Sequence, residues 1–420
     1  MNGEPRISDE GMDVEPPPRP AWLLPAVVGV GGFALGLLVA TTIGSTGPSE
    51  ASPTLPPVPP ATVVTQPGVS PEATVVGVDE EDRPTLEELV PGFEGTLYFA
   101  DFRSSTSQER MNTWRSELSS PLPTDLPAGF PQMDASGTRM AMVRGQSLES
   151  DFRGGVISLH WNLSKSHHPF PDTDSFLGSG VTGLVWHATE PGQLAWIENE
   201  GEDRWVLRTG DVENSGQEVE RVTVAEFEGI SWPLYWDAEF FVVAIYEIES
   251  NDGPLFPSGP IIGLFDSGGT LLVTTDSGFV GRLATGEFVL VESPTDAGNG
   301  PVAFLADSTF EAIEDGNLGD GAIPMGIARS NQEEVSAMAF NTVDDGPSGV
   351  LVYSEAGVRE CRFSSPRVGL YWSLDGEWLV TQGISSGSSS GNLSFIDPDT
   401  CAETRVLLPI ETGTLAAVGR

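Results

Sequence analysis

The strongest constraint on the fold is a repeated unit. Its clearest copy is LYWSLDGEWLVTQG, Leu370–Gly383: an apolar run, a small polar turn and a second apolar run. The Asp375-Gly376 pair supplies the positive φ that a tight turn between antiparallel strands needs. FPQMDASGTRMAMVRG (Phe130–Gly145), GLVWHATEPGQLAWIEN (Gly183–Asn199), PLYWDAEFFVVAIYE (Pro233–Glu247), IIGLFDSGGTLLVTTDSG (Ile261–Gly278) and VAFLADSTFEAIED (Val302–Asp315) follow the same plan. MGIARSNQEEVSAMAFN (Met325–Asn341) follows it loosely. The clearest copies recur every ~40–55 residues, the length of a four-stranded propeller blade. Helical periodicity is hard to find beyond Pro91, so the class is all-β.

The last copy outlines a whole blade: Val368–Trp372, Glu377–Thr381, Asn392–Asp397 and Glu403–Leu408. Its core, YWSLDGEWLVT, resembles the W-S-P-D-G repeat of TolB-like and related WD-type β-propellers. Trp372, Ser373, Asp375 and Gly376 match, and Leu374 stands where the proline is usual. Asp134 and Gly137 match in MDASGTRMAMV, and the other copies keep only the shape. The resemblance implies a β-propeller of six or seven blades over residues 91–420, and little about chemistry. Such rings often close by sharing one blade between the two chain ends. GTLYFADF (Gly95–Phe102) reads as an outer strand lacking an inner partner, and GTLAAVG (Gly413–Gly419) supplies one. The two ends are therefore expected to meet in one blade.

Ahead of the repeats lies Trp22–Ile43, 22 residues without a charge and long enough to cross a hydrocarbon core as a helix. Arg6 and Arg19 precede it, and no basic residue follows until Arg83. This asymmetry places the N-terminus inside and the rest of the chain outside the cytoplasm. A cleaved signal peptide fits less well: the apolar run is too long, residues 1–21 are net acidic and no A-x-A site follows. Gly32 and Gly36 form a lone GxxxG, a weak signal for helix pairing. Residues 1–21 are polar and unable to bury a core, so they read as a disordered tail. Residues 44–90 are rich in Pro, Ser and Thr and read as an extended linker, a stalk for a domain held away from a membrane.

The chain carries 61 acidic and 20 basic residues, a formal net charge of -41, with Lys165 its single lysine. That excludes nucleic acid and anionic lipid as natural partners of the domain. Cys361 and Cys401 lack the spacing of a metal site. Outside the cytoplasm a disulfide is the natural reading, with two buried thiols as the alternative.

Catalytic and metal motifs are sparse. G-x-S-x-G occurs twice in Gly383–Gly391, but in a Gly/Ser loop rather than a strand-to-helix elbow. His167, His168, Asp172 and Asp174 cluster in NLSKSHHPFPDTD, which reads as a solvated loop before it reads as a metal site. His160 stands nearby, and His187 reads as a turn residue. Asp315, Asn317 and Asp320 in EDGNLGDG offer oxygen donors suited to calcium, though not with EF-hand spacing; a polar loop is the plainer reading. Trp161, Trp186, Trp196, Trp205, Trp232, Trp236, Trp372 and Trp378 alternate along strands, as inter-blade core residues do, rather than forming a glycan platform. The sequence thus points to a tethered extracytoplasmic propeller that binds a protein or cell-wall polymer, without a cofactor. The alternative is a propeller hydrolase acting on a glycan or lactone through carboxylates or a metal.

Overall fold

A computed structural model describes residues 84–419 except 101–109, 128–130, 145–154, 162–175, 202–203, 213–218, 247–259, 293–300, 321, 331–333, 343–347, 364–365, 384–391 and 409–413. The expected membrane span, the tail and most of the linker lie outside the described residues. Among those described, no helix is long and apolar enough to cross a membrane.

Seven four-stranded blades form the ring. A one-turn helix, α1 (Leu86–Leu89), precedes β1 (Thr96–Ala100), β2 (Arg110–Arg115) and β3 (Leu122–Pro127) of blade 1. Blade 2 contains β4 (Gln132–Met133), β5 (Arg139–Arg144), β6 (Gly155–Trp161) and the start of β7 (Phe176–Trp186). The rest of β7 opens blade 3, which continues through β8 (Gln193–Asn199), β9 (Arg204–Asp211) and β10 (Val222–Glu228). Blade 4 is β11 (Ile230–Trp236), β12 (Phe240–Tyr246), β13 (Ile261–Asp266) and β14 (Leu271–Thr275). Blade 5 is β15 (Gly278–Arg282), β16 (Phe288–Glu292), β17 (Val302–Ala306) and β18 (Ala312–Asp320). Blade 6 is β19 (Ala322–Arg329), β20 (Ser336–Thr342), β21 (Ser348–Ser354) and β22 (Gly357–Phe363). Blade 7 is β23 (Arg367–Trp372), β24 (Leu379–Gly383), β25 (Asn392–Ile396) and β26 (Glu403–Leu407).

The last strand, β27 (Thr414–Gly419), returns to blade 1 and pairs antiparallel with β1, from Thr96 opposite Gly419 to Ala100 opposite Thr414. The sheet order is β27-β1-β2-β3, so both chain ends share one blade, as expected. β1 is the second strand from the axis, and all five of its residues are buried. Blades 2 and 3 are joined without a loop. β7 pairs with β6 through Phe176, Leu177 and Val181, and with β8 from Val181 to Trp186. Gly180, at φ +71°, stands at the changeover in a conformation that side chains with a Cβ resist.

Blades adhere through their faces. Among the described residues, seven apolar clusters fill the seven interfaces. The one between blades 1 and 2 is built on Tyr98, Met111, Met140, Met142 and Ala417, with Met133 against it. Flexible methionines suit a seam that two distant chain segments must close together. Tryptophans add directional ties. The Trp186 indole donates to the Gln132 carbonyl at 2.9 Å, and the Trp372 indole to the Ala328 carbonyl at 3.0 Å. Each joins the inner strands of adjacent blades. Trp196 and Trp205 are buried in inter-blade clusters, as the alternation implied.

Some expectations change. Ile261–Gly278 and Val302–Asp315 are outer hairpins, β13–β14 and β17–β18. The inner hairpin of blade 5 is β15–β16, around Leu283–Glu287. Inner and outer hairpins obey the same strand–turn–strand rule, so the pattern alone does not separate them. EDGNLGDG is largely strand rather than loop: Asn317 lies opposite Phe304 and Asp320 opposite Val302. Packing also begins earlier than 91. Leu86, Val90 and Phe93 are buried between blades 7 and 1, with Phe93 edge-on to Phe395 at 5.1 Å. Thr85 and Glu88 close a capping box on α1.

Cys361 on β22 and Cys401, in the turn before β26, form a disulfide with Cα atoms 5.4 Å apart. It ties blade 6 to blade 7, next to the closing blade. Linking residues 40 apart stabilises by about 4 kcal/mol through the unfolded chain. Replacing both cysteines with alanine is expected to lower the thermal midpoint by roughly 5–10 °C. Circular dichroism melts check this; an unchanged midpoint contradicts it.

Candidate functional site

The seven inner strands end on Gly419, Met133, Trp186, Trp236, Arg282, Arg329 and Trp372. These inner strands surround a cavity of about 400 Å³ at the centre of the ring. All seven blades contribute to its wall, which is largely apolar and aromatic, with Val185, Leu234, Phe279, Ile327, Tyr371 and Leu374 among its members. That composition and size suit a small ligand or the end of a chain.

The turns that follow the inner strands are held by hydrogen bonds to their own side chains. Asp134 is buried; its carboxylate accepts from the Thr138 and Arg139 amides at 3.1 Å each, from the Gly192 amide at 3.2 Å and from the Arg139 guanidinium at 2.8 Å. In blade 7 the equivalent Ser373 accepts from the Trp378 amide at 2.8 Å, and Gly376 takes φ +77°. The matching residues of the repeat therefore build turns. Leu374, the departure from the repeat, packs against Gly137 of blade 2, where a Cβ would sit 2.4 Å from its Cδ2. Blade 1 has no inner turn of its own, because β27 and β1 come from opposite chain ends. Leu374 bridges that gap.

Besides Gln132 and Asp134 of blade 2, polar wall residues lie on blades 3 to 6, and two of them, Tyr235 and Arg282, bond to Asp237. Asp237 accepts from the Glu239 and Phe240 amides at 2.9 and 3.0 Å, from the Tyr235 hydroxyl at 2.8 Å and from Arg282. Burial pushes its carboxyl up; the Glu239 amide, Tyr235, Arg282 and the Phe240 amide together outweigh that, and the group sits below the usual carboxylate range. Arg282 also donates to Glu239 at 2.7 Å and to the Gly286 carbonyl at 3.0 Å. Arg329, from blade 6, reaches past blade 5 and donates to the Tyr235 hydroxyl at 3.0 Å. Burial, with Asp237 beside it, holds the Tyr235 phenol well above its ordinary pKa, so it stays protonated.

His187 follows Trp186 in the inner turn, as its sequence position suggested, and is buried. Its Nδ1 accepts from the Thr189 and Glu190 amides at 3.3 and 2.9 Å, and its ring stands edge-on to Trp236 at 4.8 Å. Burial pulls its pKa below 6.5, against the opposing pull of Glu190 and Asp237.

Other candidates fall elsewhere. His160 is buried on β6. His167, His168, Asp172, Asp174 and the serines of 384–391 lie outside the described residues. Among the described residues, no group of three or more His, Cys, Asp and Glu is placed to hold a metal ion. Sequence reading missed Tyr235, Asp237, Arg282 and Arg329. A signal was there: aligning the inner hairpins puts arginine, in blades 5 and 6, where blades 3, 4 and 7 end on tryptophan.

No family model matches the chain, and no curated protein matches it. Solved structures do. The β-propeller domain of the Trilobed protease from Pyrococcus furiosus, described as having an open velcro topology, is 11% identical, with 74% of this chain and 94% of that one covered and a TM-score of 0.49. Pyrococcus horikoshii acylaminoacyl peptidase is 12% identical (76% and 51% covered, TM-score 0.46). Prolyl oligopeptidase B from Galerina marginata is 10% identical (74% and 49% covered, TM-score 0.47). This chain spans about half of each of those two peptidases. Identities this low carry no chemistry from one chain to another.

A histidine held neutral in the fold makes stability depend on pH. The unfolded chain takes up its proton near pH 6.5 and the folded one only lower, so this contribution is complete above pH 6.5 and falls as pH drops below it. The His187→Gln variant, which keeps an acceptor, is expected to lose part of the wild-type decline between pH 7.5 and 5.5, at most about 1.4 kcal/mol per pH unit. Denaturant titrations at the two pH values check it; identical slopes in both proteins contradict it.

Proposed function

We propose that this chain is a membrane-tethered, extracytoplasmic propeller of the TolB-like, WD-type kind that works as a binding module for a protein or cell-envelope polymer. The anchor in this reading is Trp22–Ile43, with residues 1–21 in the cytoplasm and the linker carrying the ring outward. The observation that carries the binding role is the state of the central cavity. Among the described residues its walls are mainly apolar and aromatic; Asp134, the acid on the wall, and Asp237, which follows the wall residue Trp236, are each held by an arginine and backbone amides. Hydrolysis by paired carboxylates needs one acid free to take a proton and another to give it. Neither Asp134 nor Asp237 meets that need, which favours binding over catalysis. The -41 net charge adds a preference for basic or neutral partners at the outer surface.

The test uses the full-length protein in intact cells. External protease is expected to release the propeller by cutting within residues 44–83. A photo-crosslinker at Leu374, on the cavity rim, is expected to give a discrete adduct absent with the probe at Leu407, on the outer edge of blade 7. Protection from protease contradicts the topology, and no adduct at Leu374 contradicts the binding site.

A further inference from the structure

The two arginines on the cavity wall are in different states. Arg282 is fully engaged: Nε donates to Gly286, its terminal nitrogens to Asp237 and Glu239, and the guanidinium lies over the rings of Phe240 and Phe288 at 4.9 and 5.3 Å. Arg329 has one hydrogen bond among the described residues, to a neutral hydroxyl. No carboxylate among the described residues forms an ion pair with it. A guanidinium has five N–H donors in a planar fork, so four remain. Tyr371, Trp372, Met325 and Ile327, which share the cavity wall with it, carry no charge, and the Asp237 carboxylate reaches it only through the Tyr235 hydroxyl.

A guanidinium on a largely apolar cavity wall, held by one neutral hydroxyl and ion-paired with no carboxylate among the described residues, inside a chain of net charge -41, marks a place where negative charge is wanted rather than repelled. Tyr235 fixes that cation. Its proton goes to Asp237 at 2.8 Å, which leaves the oxygen lone pairs for Arg329 at 3.0 Å. A single guanidinium fork matches a carboxylate, which takes two parallel N–H bonds. A phosphate dianion needs more positive charge, and Arg282 is already neutralised by Asp237 and Glu239.

We propose that the central cavity binds a carboxylate carried on an apolar or aromatic body, with Arg329 as its anchor and Tyr235 as the residue that positions Arg329. This rests on the binding-module reading and names the ligand class for it. The carboxylate belongs either to a free small acid or to the C-terminus of a chain, and the chemistry at Arg329 is the same for both.

The test titrates the purified full-length protein in detergent micelles by calorimetry. The probes are 3-phenylpropionate, phenethylamine, inorganic phosphate, and one short peptide ending in phenylalanine in free-acid and amidated forms. The expected result is binding of 3-phenylpropionate and of the free-acid peptide, with the amine, the phosphate and the amidated peptide at least tenfold weaker. Arg329→Gln is expected to weaken carboxylate binding at least tenfold, and Arg329→Lys less, with thermal midpoints close to wild type in both. A tighter peptide than small acid assigns the carboxylate to a chain end; the reverse assigns it to a free acid. Equal binding of amine and acid, preference for phosphate, or undiminished binding by Arg329→Gln overturns the proposal. So does the absence of binding by every probe. If the Leu374 adduct still forms in that case, the module binds and only the ligand class has failed.

Discussion

The ring depends on one strand pair, β27 with β1. Each other blade is made of strands close in sequence, so its hairpins form locally. Blade 1 alone needs residues more than three hundred positions apart to find each other, from Thr96 to Gly419. Until they pair, blades 7 and 2 each lack a neighbour on one face, and the apolar surfaces around Phe395 and Met140 stay open to water. The structure supports this joint from several sides. α1 and Phe93 wedge between blades 7 and 1, the disulfide ties blade 7 to blade 6, and Leu374 spans the missing turn.

Closure also sets the cavity. Arg329 and Tyr235 come from blades 6 and 4 and meet only because the ring holds their inner strands at fixed spacing. The network from Arg329 through Tyr235 and Asp237 to Arg282 spans three blades. A ring that opened would pull these groups apart and take Arg282 from the buried Asp237 carboxylate, which ties the site's integrity to that of the fold.

Much of the architecture was legible. Trp372, Ser373, Asp375 and Gly376 gave the blade type, Gly95–Phe102 and Gly413–Gly419 gave the closure, and Cys361 and Cys401 gave the bridge. These are local signals: turn chemistry, alternation, and two cysteines without the spacing of a metal site. Blade number was less legible, because Ile261–Gly278 reads like an inner hairpin and is an outer one. The fused β7 hid a boundary too, since no turn marks the passage from blade 2 to blade 3. The site was the least legible part. Arg282 and Arg329 are ordinary strand residues in sequence, and only ring geometry places Arg329 against a tyrosine 94 residues away. His187 looked like a turn residue and is one, but its burial against Trp236 comes from the neighbouring blade.

The most direct measurement is segment-resolved hydrogen exchange on the full-length protein and on a variant ending at Leu408, which lacks β27. The account predicts that in the complete chain β1 exchanges as slowly as the inner strands of other blades. In the shortened chain, protection should fall in every blade, because opening the seam exposes two faces and the ring loses its cooperativity. If protection is lost only in blade 1 while blades 2 to 7 stay as slow as before, the ring does not depend on its closing strand and the account is contradicted.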